Sequence, residues 1–217
     1  VQSRSSTPFF LNHTIFILDY GMGNLFSVGK ILSKIGCDYR VTSDPEEIAN
    51  ANRIIMPGVG HFGTAMQNMR DLNLLAALNE AALVRKVPIL GICLGMQLMA
   101  SKSEEGDAAG LGWLDASVVR FKMDDSTRFK VPHMGWNTLD AERPDDPILN
   151  GIEIVDEFYF VHSFHLIAHQ PEDVLTTTDY SYPFVSSVRR NNLVGMQFHP
   201  EKSHAAGERL IRNFLTL

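Results

Sequence analysis

Pro88-Ile89-Leu90-Gly91-Ile92-Cys93-Leu94-Gly95-Met96-Gln97 is the stretch whose reading organises the whole chain. Its apolar run reads as a buried strand, and Leu98, Met99 and Ala100 beyond it read as part of a following helix. Cys93 therefore stands where a strand turns into a helix. A thiol is a good nucleophile only as the thiolate, and such a turn offers unpaired backbone N–H groups and the positive end of a helix dipole. The frame Gly91-Ile92-Cys93-Leu94-Gly95 follows the pattern of a nucleophile elbow, in which flanking glycines relieve crowding around a strained residue. Taken alone, the frame is equally compatible with a small buried hydrophobe. Cys37 follows Gly36 without any such frame and reads as a packing residue.

Upstream of this stretch, short apolar runs alternate with helical patterns. Residues 15–18 read as a strand ended by Gly21-Met22-Gly23-Asn24, and residues 25–35 as a helix with Leu25, Val28, Leu32 and Ile35 on one face. Residues 39–42 form a second strand, and Asp44-Pro45 caps a helix start. Residues 53–56 read as a strand broken by Pro57-Gly58-Val59-Gly60, and residues 62–69 and 74–86 as helices. This alternation is that of βα units on a mostly parallel sheet. After about Leu111 the pattern changes to closely spaced extended segments at 116–121, 158–166, 174–178, 184–188 and 193–198, which predict antiparallel pairing at one side of the sheet. A helix over 205–215 closes the chain, giving one α/β domain over residues 14–217. The Ser/Thr-rich residues 1–13 are set aside as an N-terminal extension.

Composition bounds the function. The net charge of −6 over 217 residues argues against a nucleic-acid backbone as partner, which needs clustered Lys and Arg. No apolar run approaches the ~20 residues of a membrane span. Two cysteines are too few for a disulfide framework and read as free thiols, so a soluble cytoplasmic protein with a small-molecule or protein partner is expected.

A thiolate needs a base, and the base needs an orienting acceptor. Gln197-Phe198-His199-Pro200-Glu201 ends a strand with a His and a carboxylate two residues apart, on one face of an extended segment. His199 is the candidate base and Glu201 its acceptor. For the oxyanion of amide hydrolysis, the turn at Gly58 supplies the N–H of Val59, to act with that of Leu94. His61, His165 and His169 lack such a setting and read as structural or solvent-facing; His204 stays open. No His/Cys/carboxylate cluster has metal-ligand spacing, and no cofactor is implied.

With Pro57-Gly58-Val59-Gly60, the Cys93 stretch and Gln197-Phe198-His199-Pro200-Glu201-Lys202-Ser203 in place, the chain resembles the class I glutamine amidotransferases from about Thr14 onward. Pro132-His133-Met134-Gly135-Trp136-Asn137 and Tyr159-Phe160-Val161-His162-Ser163 resemble, more narrowly, the glutaminase subunits of imidazole glycerol phosphate synthases. The resemblance implies a flavodoxin-like fold, a triad of Cys93, His199 and Glu201, and glutamine contacts from Gly60, Gln97, Glu105, His162, Ser163 and Phe164. Phe164 stands where many members have Tyr, which leaves a backbone contact there but no hydroxyl. The implied partner is a (β/α)₈ barrel cyclase that receives ammonia for histidine synthesis, with His133, Trp136, Asn137, Tyr159 and Lys202 near the interface. The family further implies that hydrolysis is weak until that partner is liganded, and an oxyanion turn at Gly58-Val59 that is misoriented in the isolated subunit is the structural hypothesis for it.

Three other readings remain at this level. Gly110-Leu111-Gly112-Trp113 and Ser203-His204 resemble paralogues that supply ammonia for amidination of nucleotide-linked sugars. A non-catalytic regulatory module is disfavoured by the intact Cys, His and Glu set. A cysteine peptidase is disfavoured by Gln97 and His162-Ser163, which match glutamine recognition.

Overall fold

The structure, a computed structural model, describes residues 14–123 and 127–217, so the extension at residues 1–13 lies outside the described residues. Its first half runs β1 (Ile15–Leu18), α1 (Leu25–Ile35), β2 (Tyr39–Thr42), α2 (Pro45–Asn50), β3 (Ile54–Gly58), α3 (Phe62–Asp71), α4 (Leu74–Asn79), β4 (Ile89–Cys93) and α5 (Leu94–Gln97). Short strands β5 (Lys102–Ser103) and β6 (Ala108–Ala109) follow, then β7 (Ala116–Arg120), β8 (His133–Asn137), β9 (Asp140–Ala141), β10 (Phe158–His162) and β11 (Phe164–Ala168). The chain ends with β12 (Val174–Tyr180), β13 (Tyr182–Arg190), β14 (Leu193–Met196) and α6 (His204–Phe214).

Parallel strands in the order β2-β1-β3-β4-β14 make the centre of the main sheet, which continues through β13, β11 and β7 to β5 and β6 at its far side. The pairs β14–β13, β13–β11 and β11–β7 are antiparallel, as the sequence pattern of the C-terminal half predicts. Strands β3 and β4 are buried along their whole length because helices cover both faces, which is why they read as unbroken apolar runs. On one face Phe62, Met69, Leu74 and Leu78 pack down from α3 and α4. On the other Val28 and Leu32 of α1 meet Leu210, Ile211 and Phe214 of α6. Helix α1 is held at both ends by local chemistry. The side chain of Asn24 accepts from the N–H of Ser27, and Gly36 takes the left-handed conformation at φ 85° to close it.

Four sequence expectations are corrected. The helix after Cys93 stops at Gln97: the carbonyls of Leu98, Met99 and Ala100 turn to the segment at residues 111–114 and accept its N–H groups instead. Strand β3 is not broken at Pro57 but runs on to Gly58, where it still pairs with Cys93. Residues 74–86 hold one α-helical segment, α4, followed by a wider π turn at Glu80–Val84. The segment 158–166 is two strands that part at Ser163. Strand β10 leaves to form a separate two-stranded ribbon with β8, and β11 joins the main sheet.

Candidate active site

Cys93 is the last residue of β4 and holds φ 54°, ψ −110°, a sparsely populated conformation for a residue with a side chain. The two glycines of the frame are sterically obligatory. A Cβ on Gly91 would stand 2.6 Å from the carbonyl oxygen of Gly95, and one on Gly95 only 1.8 Å from that of Met56. With bare backbone at both places, the turn closes and α5 packs onto β3. Since α5 is a single turn, its macrodipole is small, and the field at the thiol comes from the first backbone N–H groups themselves.

His199 follows β14, the neighbour of β4, so the parallel register carries it to the same end of the sheet as Cys93. Its backbone N–H donates to Tyr159 O at 2.9 Å, and its carbonyl accepts from the Ser203 hydroxyl at 2.6 Å. Nδ1 lies 2.8 Å from Glu201 Oε1, with both side chains 2% exposed. The carboxylate therefore accepts a hydrogen bond from Nδ1–H and leaves Nε2 for the substrate side. Nε2 makes no hydrogen bond of ordinary geometry, yet the sulfur of Cys93 is near enough to act on the ring. Burial pulls the His199 pKa down, but the contacts with Cys93 and then Glu201 outweigh it, and the pKa is raised to about 9.

Cys93 opens onto a cavity of about 310 Å³. Gly60, Gln97, Glu105, His162, Ser163 and Phe164, the six positions implied for glutamine, all line it, together with Val59 and Leu94. The cavity lies at the carboxyl ends of β3 and β4, where ligands of open α/β sheets bind. Gln97 is fixed by its amide nitrogen, which donates to Phe164 O and to Gln197 Oε1, each at 2.9 Å. The backbone carbonyl of Phe164 also faces His162 Nδ1 at 2.8 Å. A carbonyl only accepts, so the His162 proton sits on Nδ1, and Nε2 accepts from His133 Nδ1 at 3.1 Å. Both rings are neutral. Burial lowers the His162 pKa to about 3 and the His133 pKa to about 4. Glu105 accepts the Phe62 N–H at the start of α3, at 2.7 Å.

Of the residues expected at a partner surface, Trp136 is 43% exposed and stacks on His204 with ring centroids 5.0 Å apart. Lys202 holds its ammonium 5.6 Å from the Tyr159 ring, and the Asn137 amide donates to Asp179 O. His133 is buried and points inward from β8 to His162. His61 caps α3, His165 bonds the Tyr182 hydroxyl, and His169 pairs with Asp115, in line with structural roles.

Two participants escaped the sequence reading. Gln197 donates to the Cys93 sulfur at 3.7 Å and so ties the thiol to Gln97. Its spacing of two from His199 on a strand end was the available signal. Tyr20 is the other, buried beside Gly58. Among the described residues no group of three or more His, Cys, Asp or Glu is placed to hold a metal ion, and no helix is long and apolar enough to cross a membrane.

The model of the family "Glutamine amidotransferase class-I" matches residues 16–217. The chain is 46% identical to imidazole glycerol phosphate synthase subunit HisH 2 of Methanococcus maripaludis, covering 93% of this chain and 98% of that protein. It is 48% identical to subunit HisH of Moorella thermoacetica, over 92% of this chain and 93% of the relative. Among solved structures, PurLQS from Thermotoga maritima shares the fold with a TM-score of 0.72 at 17% identity, covering 94% of this chain and 98% of that one. A glutamine amidotransferase from the same organism gives 0.65 at 17% identity, covering 93% and 82%. Matched by a family model over nearly all its described length, and by relatives near half identical end to end, the chain belongs to the class I glutamine amidotransferases.

Proposed function

We propose that this chain is the glutaminase subunit of an imidazole glycerol phosphate synthase, acting as one domain over residues 14–217 in the cytoplasm. The Cys93 thiolate attacks the side-chain amide carbon of L-glutamine, and the N–H groups of Val59 and Leu94 receive the oxyanion. Imidazolium at His199 gives its proton to the departing ammonia, leaving a glutamyl thioester on Cys93. The neutral ring then takes a proton from water, which attacks the thioester and frees glutamate. Glu201 holds the ring in the tautomer this needs.

One observation carries the reading: the six positions implied for glutamine share a single cavity with a cysteine in a strained elbow. Ammonia set free in bulk water would be protonated and lost as a nucleophile, so a sealed route into a partner suits the product. Trp136, Asn137, Tyr159 and Lys202 form the face offered to a (β/α)₈ barrel cyclase, which adds the ammonia and makes imidazole glycerol phosphate and AICAR. Docking of the liganded cyclase turns the Gly58–Val59 peptide so that the Val59 N–H enters the pocket.

Cys93→Ala is expected to abolish glutamine hydrolysis, by 10³-fold or more, while the synthase reaction driven by added ammonium persists. A variant that still hydrolyses glutamine removes the nucleophile from the scheme. Complementation of a strain lacking its own histidine-pathway glutaminase tests the partner; failure with an active glutaminase redirects the ammonia to sugar amidination.

A further inference from the structure

Tyr20 lies just beyond β1, fully buried, and its hydroxyl has no hydrogen-bond partner among the described residues. Only four buried side-chain polar atoms among those residues are unpaired in this way, and two of the others, His199 Nε2 and Glu201 Oε2, belong to the triad. An unpaired buried hydroxyl costs about 1–3 kcal/mol and, in a well-made core, calls for a reason. Its surroundings supply one. The point where a Cβ on Gly58 would stand is 2.2 Å from the Tyr20 hydroxyl, 2.9 Å from Leu94 Cβ and 3.0 Å from the Gly95 nitrogen. The phenol is thus wedged between the end of β3 and the nucleophile elbow, the two segments that carry the oxyanion donors. Its backbone is fixed there, since the Tyr20 carbonyl accepts from the Asn68 amide at 3.0 Å and the next N–H, that of Gly21, donates to Asp19.

We propose that Tyr20 is a positioning residue for the oxyanion hole: its O–H stays unpaired until the Gly58–Val59 peptide turns its N–H into the pocket, and then donates to the Gly58 carbonyl that the same rotation swings away from the pocket. The inference rests on the reading of Val59 as an oxyanion donor. The phenol is protonated throughout, because burial and then the charge of Cys93 push its pKa far above the ordinary value. A hydroxyl that pairs in only one of two peptide orientations favours that orientation by the strength of one hydrogen bond.

Tyr20→Phe keeps the ring and removes the donor. With cyclase bound and liganded, kcat for glutamine is expected to fall about tenfold with KM unchanged, as one lost hydrogen bond in the active orientation requires. Thermal stability should be equal or higher, because an unsatisfied group has left the core. Alkylation of Cys93 by iodoacetamide, which forms no oxyanion, should keep the wild-type rate and shows the thiol and the fold to be intact. Unchanged kcat overturns the proposal, and so does a parallel loss of kcat, alkylation rate and melting temperature, which marks a merely structural tyrosine. Cys93→Ala is run alongside: if that variant still hydrolyses glutamine, the glutaminase mechanism itself fails, whereas an inactive Cys93→Ala beside a fully active Tyr20→Phe discards the role of Tyr20 alone.

Discussion

Burial alone would leave His199 a poor proton carrier, and the two groups that reverse this are its neighbours Cys93 and Glu201. With the pKa raised from 6.5 to about 9, an imidazolium at His199 survives at neutral pH, as the proposed protonation of departing ammonia requires. Loss of that proton as pH rises through about 9 is expected to give the alkaline limb of kcat/KM for glutamine, and Glu201→Gln should shift the limb to lower pH. A wild-type profile still flat at pH 10 contradicts this. The sign for stability is the same: a folded pKa above the unfolded one adds stability that is complete below 6.5 and is lost as pH rises through about 9. Gln197→Met removes the N–H donated to sulfur and the acceptor that holds Gln97. Steady-state kinetics are expected to show kcat lowered about tenfold and a raised KM; wild-type kinetics would reduce the contact to packing. As candidates for nucleophile, base and acceptor, Cys93, His199 and Glu201 could be picked out by residue type and spacing. Gln197 offered only its spacing from His199 and Tyr20 offered nothing, because an amide or a phenol gains its meaning from the atom beside it.

At the scale of elements, the elbow depends on how closely α5 approaches β3. Gly95→Ala places a methyl against the Met56 carbonyl, backbone that cannot move aside, and is expected to destabilise the chain by ~3 kcal/mol or more. The urea midpoint measures it, and a loss below about 0.5 kcal/mol, the ordinary range for surface changes, would mean that the turn has slack. The parallel strands could be read directly, since burial on both faces writes a strand as a continuous apolar run. The length of the helix after Cys93 could not. Its apolar residues 98–100 suit a helix, but their carbonyls are claimed by residues 111–114, a tertiary contact that local pattern does not contain. The parting of β10 from β11 was hidden for a similar reason: extended, half-apolar sequence runs through Ser163 on both sides, while the partners β8 and β7 lie in different sheets.

For the molecule as a whole, the buried neutral pair His133 and His162 sets an acid limit. Both folded pKa values, about 4 and about 3, lie below the unfolded 6.5, so the unfolded chain takes up protons first as pH falls. Their contribution is present above pH 6.5 and is lost progressively from 6.5 toward 4, by up to about 1.4 kcal/mol per ring per pH unit. Urea unfolding at pH 7 and pH 5 should show this loss, with a shallower dependence in His133→Gln; identical slopes would assign the acid sensitivity to carboxylates instead. The same two residues form one end of the β8–β10 ribbon, where His133 pairs with His162, while toward the other end Trp136 pairs with Tyr159. Only two residue pairs, Met134–Val161 and Gly135–Phe160, therefore separate the proposed substrate wall from the proposed docking face along a single ribbon. If docking tightens glutamine by some factor, thermodynamic linkage obliges glutamine to tighten docking by that same factor, so a subunit holding its amide donor is the one its partner would retain.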